Sequence, residues 1–251
     1  MALPSLCCAK EDDGRNSKRM WRNNYDHISC IKGQRTSKMS VPVLIVPILN
    51  RYDLLESMLD SINYPIDNIL IIDNGGDFKT DKNVKVLNMP TNLGLSASWN
   101  LGIKCFPHAK YWLFASADTV WGENSLEEID KESGSDKLIL TNDAYGCFSV
   151  GENVVDKVGL FDEYFYPIYF EDNDFHERVA RFCPENTIKS TSIQTAPAVG
   201  SQTINSDDKL KNRNHETFVK NKEYYEHKRN SNFEISNPWS LSRRRDQEWL
   251  R

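Results

Sequence analysis

Three acidic positions stand where chemistry could be done. Asp73 ends the apolar run Ile69 to Ile72, Asp118 follows Tyr111 to Ala115, and Glu171-Asp172-Asn173-Asp174 opens a segment whose Phe175, Val179 and Phe182 form one helical stripe. Carboxylates grouped in this way can hold a hard divalent cation, which prefers oxygen ligands, or accept a proton as a general base. Each also has a plainer use. Asp118 can cap the next helix from a loop, and Glu171 and Asp172 can gain from the free N–H groups and dipole at a helix start.

The elements that must position these acids follow from the apolar pattern. Val41 to Leu49 is a short β-branched run broken by Pro42 and Pro47, which reads as a buried strand ending in a loop. Leu54, Leu55, Met58, Leu59 and Ile62 then recur at helical spacing, with Asn50 and Asp53 available as caps. Further strands are expected at 69–72, 84–87, 111–115, near 138–140 and near 147–150. Helices are expected at 95–106, from about 172, and from about 209 to 228. Such alternation predicts a mostly parallel sheet covered by helices. In open α/β sheets ligands bind beyond the carboxyl ends of the strands, and Asn50-Arg51, Asp73 and Asp118 all fall there.

The 251 residues suffice for one well-cored domain. The charge is uneven: residues 1–38 hold 8 Lys/Arg against 4 Asp/Glu, 39–208 hold 12 against 26, and 209–251 hold 11 against 6. An acidic centre argues against a protein that wraps duplex nucleic acid. The longest apolar run is about half of a bilayer span, so no integral membrane segment is expected. The start lacks the basic leader and long apolar stretch of a secretory signal. Cys105, Cys147 and Cys183 lie among apolar residues without metal or redox spacing and are expected as buried thiols in a reducing, cytoplasmic setting. We expect a flexible extension over 1–38, with Met39 as a conceivable natural start, a domain over 39–230, and a tail over 231–251. The dinucleotide, P-loop, serine-hydrolase and zincin signatures are all missing.

Five blocks in order carry a resemblance. They are Val43-Leu44-Ile45-Val46-Pro47-Ile48-Leu49-Asn50-Arg51, Ile71-Ile72-Asp73-Asn74-Gly75, Asn92-Leu93-Gly94 with Asn100-Leu101-Gly102, Tyr111 to Val120, and Val158 to Glu163 with Tyr169 to Phe175. Together they resemble the family 2 glycosyltransferases of the GT-A fold, including small rhamnosyltransferase-like bacterial and viral members, over about residues 39–228.

The resemblance implies a single-domain α/β fold of the nucleotide-diphospho-sugar transferase type. It implies that Pro47, Leu49, Asn50 and Arg51 form the first nucleotide-binding loop, that Asp73 contacts the base, and that Asn92, Gly94 and Asn100 belong to the donor site. Asp118 would hold Mg²⁺ or Mn²⁺ on the donor diphosphate, and Asp172 would deprotonate the acceptor hydroxyl and give inversion. Glu171 and Tyr169 fall on the acceptor side. Two features depart from the family pattern. Ser116-Ala117-Asp118 carries one carboxylate where acid-x-acid or Asn-x-Asp is usual. Ala198 and Val199 precede Gly200-Ser201 where many relatives place a histidine. His215 is the nearest replacement, as a metal ligand or phosphate contact, or else a solvated helix histidine.

The function this implies is transfer of a sugar from a UDP- or TDP-type donor to an acceptor hydroxyl on a glycan, a lipid-linked sugar or a modified nucleic-acid base. A degenerate, non-catalytic sugar-nucleotide or glycan-binding module is the alternative. A nucleotidyltransferase would need a Gly-rich, Lys-containing phosphate loop after the first strand, and none is there.

Overall fold

The computed structural model describes residues 39–196 and 208–233, all within a compact unit of Met39–Arg251. Residues 1–38, Gly200-Ser201 and the end of the tail lie outside the described residues. Among the described residues nine strands and six helices follow one another: β1 (Leu44–Ile48), α1 (Tyr52–Asp60), β2 (Ile69–Asp73), β3 (Lys85–Asn88), α2 (Leu95–Cys105), β4 (Tyr111–Ala115), β5 (Val120–Trp121), α3 (Ser125–Glu132), β6 (Leu138–Thr141), β7 (Ala144–Gly151), α4 (Glu152–Val158), α5 (Glu171–Phe182), β8 (Ile188–Ser190), β9 (Thr195–Ala196) and α6 (Asp208–Asn230).

Seven strands form one sheet in the order β3-β2-β1-β4-β7-β6-β8. The β3, β2, β1 and β4 neighbours pair in parallel, and so do β6 and β8; β7 alone runs against its neighbours β4 and β6. This is the expected α/β class with a mostly parallel central sheet flanked by helices. Short β5 and β9 pair antiparallel in a separate ribbon.

The apolar run of β1 is continuous because both faces are covered. Val43 and Ile45 pack with Trp99 and Ile103 of α2 and with residues of α4 and α5, whereas Leu44, Val46 and Ile48 pack with Leu55 and Met58 of α1 and Leu126 and Ile129 of α3. Strand β4 divides the same way, Trp112 and Phe114 to one side and Tyr111, Leu113 and Ala115 to the other. The period of two thus feeds two cores from one buried strand.

Helices α3 and α4 and the small ribbon were not expected from the sequence. Both helices are short, and their apolar positions, two in α3 and three in α4, are too few to display a full helical stripe. Among the thiols, none of the three is in a disulfide, but only Cys147 is fully buried; Cys183 is half-buried and Cys105 is exposed. Cys105 lies at the C-terminal end of α2, where the helix face turns away from the sheet, so the burial expected for it is corrected.

Beyond α6 the chain turns back through Ser231 and Asn232. Phe233 is buried, with its ring 5.6 Å from Tyr225 and beneath the Arg181 guanidinium at 4.9 Å. No described helix is long and apolar enough to cross a membrane.

Candidate active site

Register aligns the strand ends. Ile48 of β1 lies opposite Asp73 of β2, and Asp73 opposite Asn88 of β3, so the loops after β1, β2 and β4 emerge side by side at one sheet edge. A cavity of about 350 Å³ opens there. It is lined by Trp99 and Phe114 and by Pro47–Leu49, Asn74, Asn92, Gly94, Leu95, Ala115–Asp118, Tyr145, Pro167–Tyr169, Glu171, and Arg213 with Asn214 of α6. Seven of the residues expected at the site line it: Pro47, Leu49, Asn92, Gly94, Asp118, Tyr169 and Glu171. Asn50, Arg51, Asp73, Asn100, Asp172 and His215 are not part of the lining.

The reasons differ from residue to residue. Asp73 is fully buried; Oδ1 accepts from the Tyr52 hydroxyl and the Gly75 N–H at 3.0 Å, and Oδ2 from the Phe78 N–H at 2.8 Å. It therefore shapes the turn that presents Asn74. The Asn74 amide in turn donates to Ser98 Oγ at 3.0 Å and accepts from the Leu93 N–H at 2.8 Å, joining the β2 loop to the start of α2. Arg51 has left-handed backbone at φ 57° and pairs with Asp53 at 2.7 Å, which holds its guanidinium pKa above the ordinary value.

Asn100 is buried in the core, donates to the Phe161 carbonyl and Glu163 Oε1 at 2.8 Å, and accepts from the Phe161 N–H at 2.9 Å. Its amide pins the Gly159-Leu160-Phe161-Asp162-Glu163 segment beneath the cavity.

Gly94 begins α2 with φ +80°, where L side chains are strained. A Cβ there would come 2.8 Å from the Tyr166 ring and 3.1 Å from the Pro167 carbonyl. The Asn92 side chain accepts from the Gly94 N–H at 2.8 Å, and the Tyr166 hydroxyl donates to the Asn92 carbonyl at 3.1 Å. The Asn-x-Gly element and the 160s loop thus close on each other.

Asp118 is held in a turn in which the Ser116 N–H donates to the Gly146 carbonyl at 2.7 Å and the Thr119 N–H to the Ser116 carbonyl at 3.1 Å. Burial raises its carboxyl pKa, opposed by its own N–H and by the Arg51 charge. Asp143, in the turn between β6 and β7, is raised by burial and by the negative charge of Asp118. Asp143 therefore supplies a second carboxylate near the β4 end, from a hairpin that no D-x-D spacing would reveal. Among the described residues there is no group of three or more His, Cys, Asp and Glu side chains arranged for a metal. A one- or two-carboxylate site still suits Mg²⁺ or Mn²⁺ when diphosphate oxygens and waters supply the other ligands, so the donor set fits the implied ion. His215 is exposed and adjoins Asn214 on α6.

At the opposite wall, α5 begins after Tyr169 and Phe170, both with positive φ, and no side chain caps it. Glu171 is 4% exposed and faces the cavity; burial, and secondarily the Asp172 charge, push its carboxyl up to about 8. Burial also raises Asp172, against the Asn173 N–H, its own N–H and the His176 charge. His176 Nδ1 lies 3.4 Å from the Tyr145 hydroxyl, which links α5 to β7.

Residues 43–140 match the family model described as glycosyl transferase family 2. Over that segment the chain is similar to glycosyl transferase family 2. Within the matched residues lie the loops of Pro47–Leu49, Asn74, Asn92 and Asp118, while Glu171 and α6 lie beyond them. Similar solved structures include TarS 1–349 of S. aureus in complex with UDP-GlcNAc, at 16% identity over 61% of this chain and 56% of that one, with a TM-score of 0.47. Glucosyl-3-phosphoglycerate synthase of Mycobacterium tuberculosis, with Mn²⁺ and UDP, aligns at 11% identity over 62% and 71% of the two chains, TM-score 0.47. GalNAc-T7 with UDP, GalNAc and Mn²⁺ aligns at 11% identity over 57% and 41%, TM-score 0.43. The chain spans less than two thirds of the TarS chains it matches. Comparison with curated proteins gives no match.

Asn74, Tyr145, Asp143, Arg213 and Asn214 were missed as site residues by sequence reasoning. Asn74 carried a signal, since it follows Asp73 in the acidic turn. The others reach the site only through the β7 hairpin and the α6 packing, neither of which has a local signature.

Proposed function

We propose that this chain is a glycosyltransferase that moves a sugar from a nucleoside-diphosphate sugar of the UDP or TDP type to an acceptor hydroxyl. The observation that carries the reading is one cavity at the C-terminal edge of a family 2 sheet, with Asp118 on one wall and Glu171 on another. The nucleoside would lie against Pro47–Leu49 and Asn74, and the diphosphate near Asp118.

Asp118, with Asp143 close by, would hold Mg²⁺ or Mn²⁺. When bound, that ion supplies positive charge to the leaving diphosphate. Asp172, in the first turn of α5 directly after the lining residue Glu171, would face the acceptor. Its carboxylate would take the acceptor hydroxyl proton while the hydroxyl oxygen attacks the anomeric carbon. The bond from that carbon to the diphosphate oxygen breaks on the opposite face, the nucleoside diphosphate leaves, and configuration inverts. A carboxyl raised by burial binds the proton more readily than a solvated one, which suits a base.

The acceptor remains one of the three classes named, a glycan, a lipid-linked sugar or a modified nucleic-acid base. The cytoplasmic setting rests on the sequence. A non-catalytic nucleotide-sugar binder is favoured by the single carboxylate of Ser116-Ala117-Asp118 and by Ala198 and Val199 standing where many relatives place a histidine.

A thermal-shift panel of UDP- and TDP-sugars, with and without Mn²⁺, tests donor binding. The expected result is a rise in Tm for one donor class that grows with Mn²⁺. No shift with any nucleotide would reject the reading.

A further inference from the structure

Buried polar atoms in folded proteins nearly always have partners, so each exception calls for an explanation. Two such atoms among the described residues belong to the cavity wall. Glu171 Oε2 and Asn214 Nδ2 are both buried and have no hydrogen-bond partner among the described residues. One is an acceptor at the start of α5, the other a donor near the start of α6, and both elements are fixed from behind. The Asn221 amide of α6 donates to the Ile168 and Tyr169 carbonyls at 2.8 and 3.1 Å, directly before Glu171. Lys228 pairs with Asp162 at 2.8 Å and with Asp174 of α5. The two orphan atoms are thus presented by a rigid pair of helices, and leaving them unsatisfied is costly.

A ligand group that both accepts and donates would satisfy the pair, and a sugar ring with neighbouring hydroxyls is such a group. Position identifies which sugar. The sheet order places the β2, β1, β4 and β7 ends in a row, carrying Asn74, Leu49, Asp118 and Tyr145 in turn. Tyr145 meets α5 through His176. A donor with its nucleoside at the β2–β1 end and its diphosphate at Asp118 brings its sugar next to α5.

We propose that Glu171 and Asn214 form the donor-sugar subsite, reading hydroxyls of the transferred hexose. This rests on the donor-binding reading above and moves Glu171 from the acceptor side to the donor. A carboxyl raised by burial keeps its proton near neutrality and can then donate as well as accept, which widens the hydroxyl patterns it can read. Helix α6 lies outside the family 2 segment, so this chain's own C-terminal helix would set its choice of sugar.

The test is calorimetric titration of the full chain with UDP, UDP-glucose, UDP-galactose and UDP-N-acetylglucosamine in Mn²⁺, for wild type, Glu171→Leu and Asn214→Leu. One sugar should bind wild type more tightly than UDP alone. Each variant should weaken that sugar nucleotide about tenfold while leaving UDP within twofold. Asn214 lies on a half-exposed helix face, so Asn214→Leu decides the question even if Glu171→Leu fails to fold. Unchanged affinity for every sugar nucleotide would overturn the subsite, as would an equal loss for UDP and its sugars, or a wild type that binds UDP with no gain from any sugar. Failure of wild type to bind either UDP or TDP would instead reject the donor-binding reading itself.

Discussion

Lys228 Nζ of α6 lies 2.8 Å from Asp162 Oδ2 in the loop before α5, with both side chains almost wholly out of solvent. The same ammonium pairs with Asp174, and the Tyr224 hydroxyl donates to Asp162 Oδ2 at 2.9 Å. Asp174 also holds Arg178, whose guanidinium donates to the Val158 and Leu160 carbonyls at 2.6 and 3.0 Å. One buried charge network therefore fastens α6 to the loop that passes beneath the cavity.

Removing the ammonium takes a buried cation away from the Asp162 and Asp174 carboxylates, of which Asp174 keeps Arg178. Lys228→Met should lower unfolding stability by about 3–5 kcal/mol, since breaking a buried pair leaves an uncompensated charge. Urea denaturation with an unchanged m-value is the measurement. A loss under 1 kcal/mol would mean that the network does not hold the helix.

Asn100 makes a similar case within the core. Asn100→Leu removes the hydrogen bonds of its amide to the Phe161 N–H, the Phe161 carbonyl and Glu163, which should cost about 1–3 kcal/mol in all. Because Asn100 does not line the cavity, affinity for UDP measured below the lowered Tm should stay within a few-fold of wild type. A large selective loss of UDP affinity at unchanged stability would return Asn100 to the donor site.

Glu171 should mark the stability of the fold with pH. Its folded pKa of about 8 lies above the ordinary 4.5, so between those values the unfolded chain releases a proton that the folded chain keeps. Its contribution is fully present below about pH 4.5 and is lost as pH rises towards 8, at a slope of up to about 1.4 kcal/mol per pH unit. Glu171→Gln removes the titration. The variant should therefore gain stability relative to wild type steadily from pH 5 to pH 8, as followed by paired thermal melts. Parallel curves would contradict the buried, proton-holding carboxyl.

Asp172 carries the proton-transfer step. Asp172→Asn should reduce kcat by about 10²–10⁴-fold with donor affinity little changed. The wild-type rate should rise with pH through the folded pKa of Asp172, above the ordinary carboxylate range because of burial, and the variant should lack that limb. An equal pH limb in the variant would assign the base elsewhere.

How much of this was legible in the sequence depends on how local each signal was. The strands β1, β2 and β4 were readable because each is a short apolar run ended by a polar residue, and their ends place Leu49, Asn74 and Asp118 on the cavity. The acids were harder to read. Asp73 and Asp118 both follow buried strands, yet Asp73 is occupied by Tyr52, Gly75 and Phe78 while Asp118 faces the cavity, a difference set by the geometry of each turn. The strand near 147–150 was readable, but the antiparallel pairing of β7 with β4, which brings Tyr145 to the site, joins residues far apart in the chain and has no mark in its own sequence. Helix α6 was readable as a helix. Its contribution to the cavity was not, because it depends on Lys228 and Asn221 finding partners more than 50 residues away.

The central claim is turnover of a nucleotide sugar at Asp118 and Asp172, and the direct measurement is release of UDP or TDP from a panel of their sugars in Mn²⁺. Wild type should release nucleoside diphosphate from one donor class, and Asp118→Asn and Asp172→Asn should each reduce that release by at least 100-fold while the fold is retained. Nucleotide binding without release from any donor, with or without glycan acceptors, would contradict the account and leave a binding module in its place.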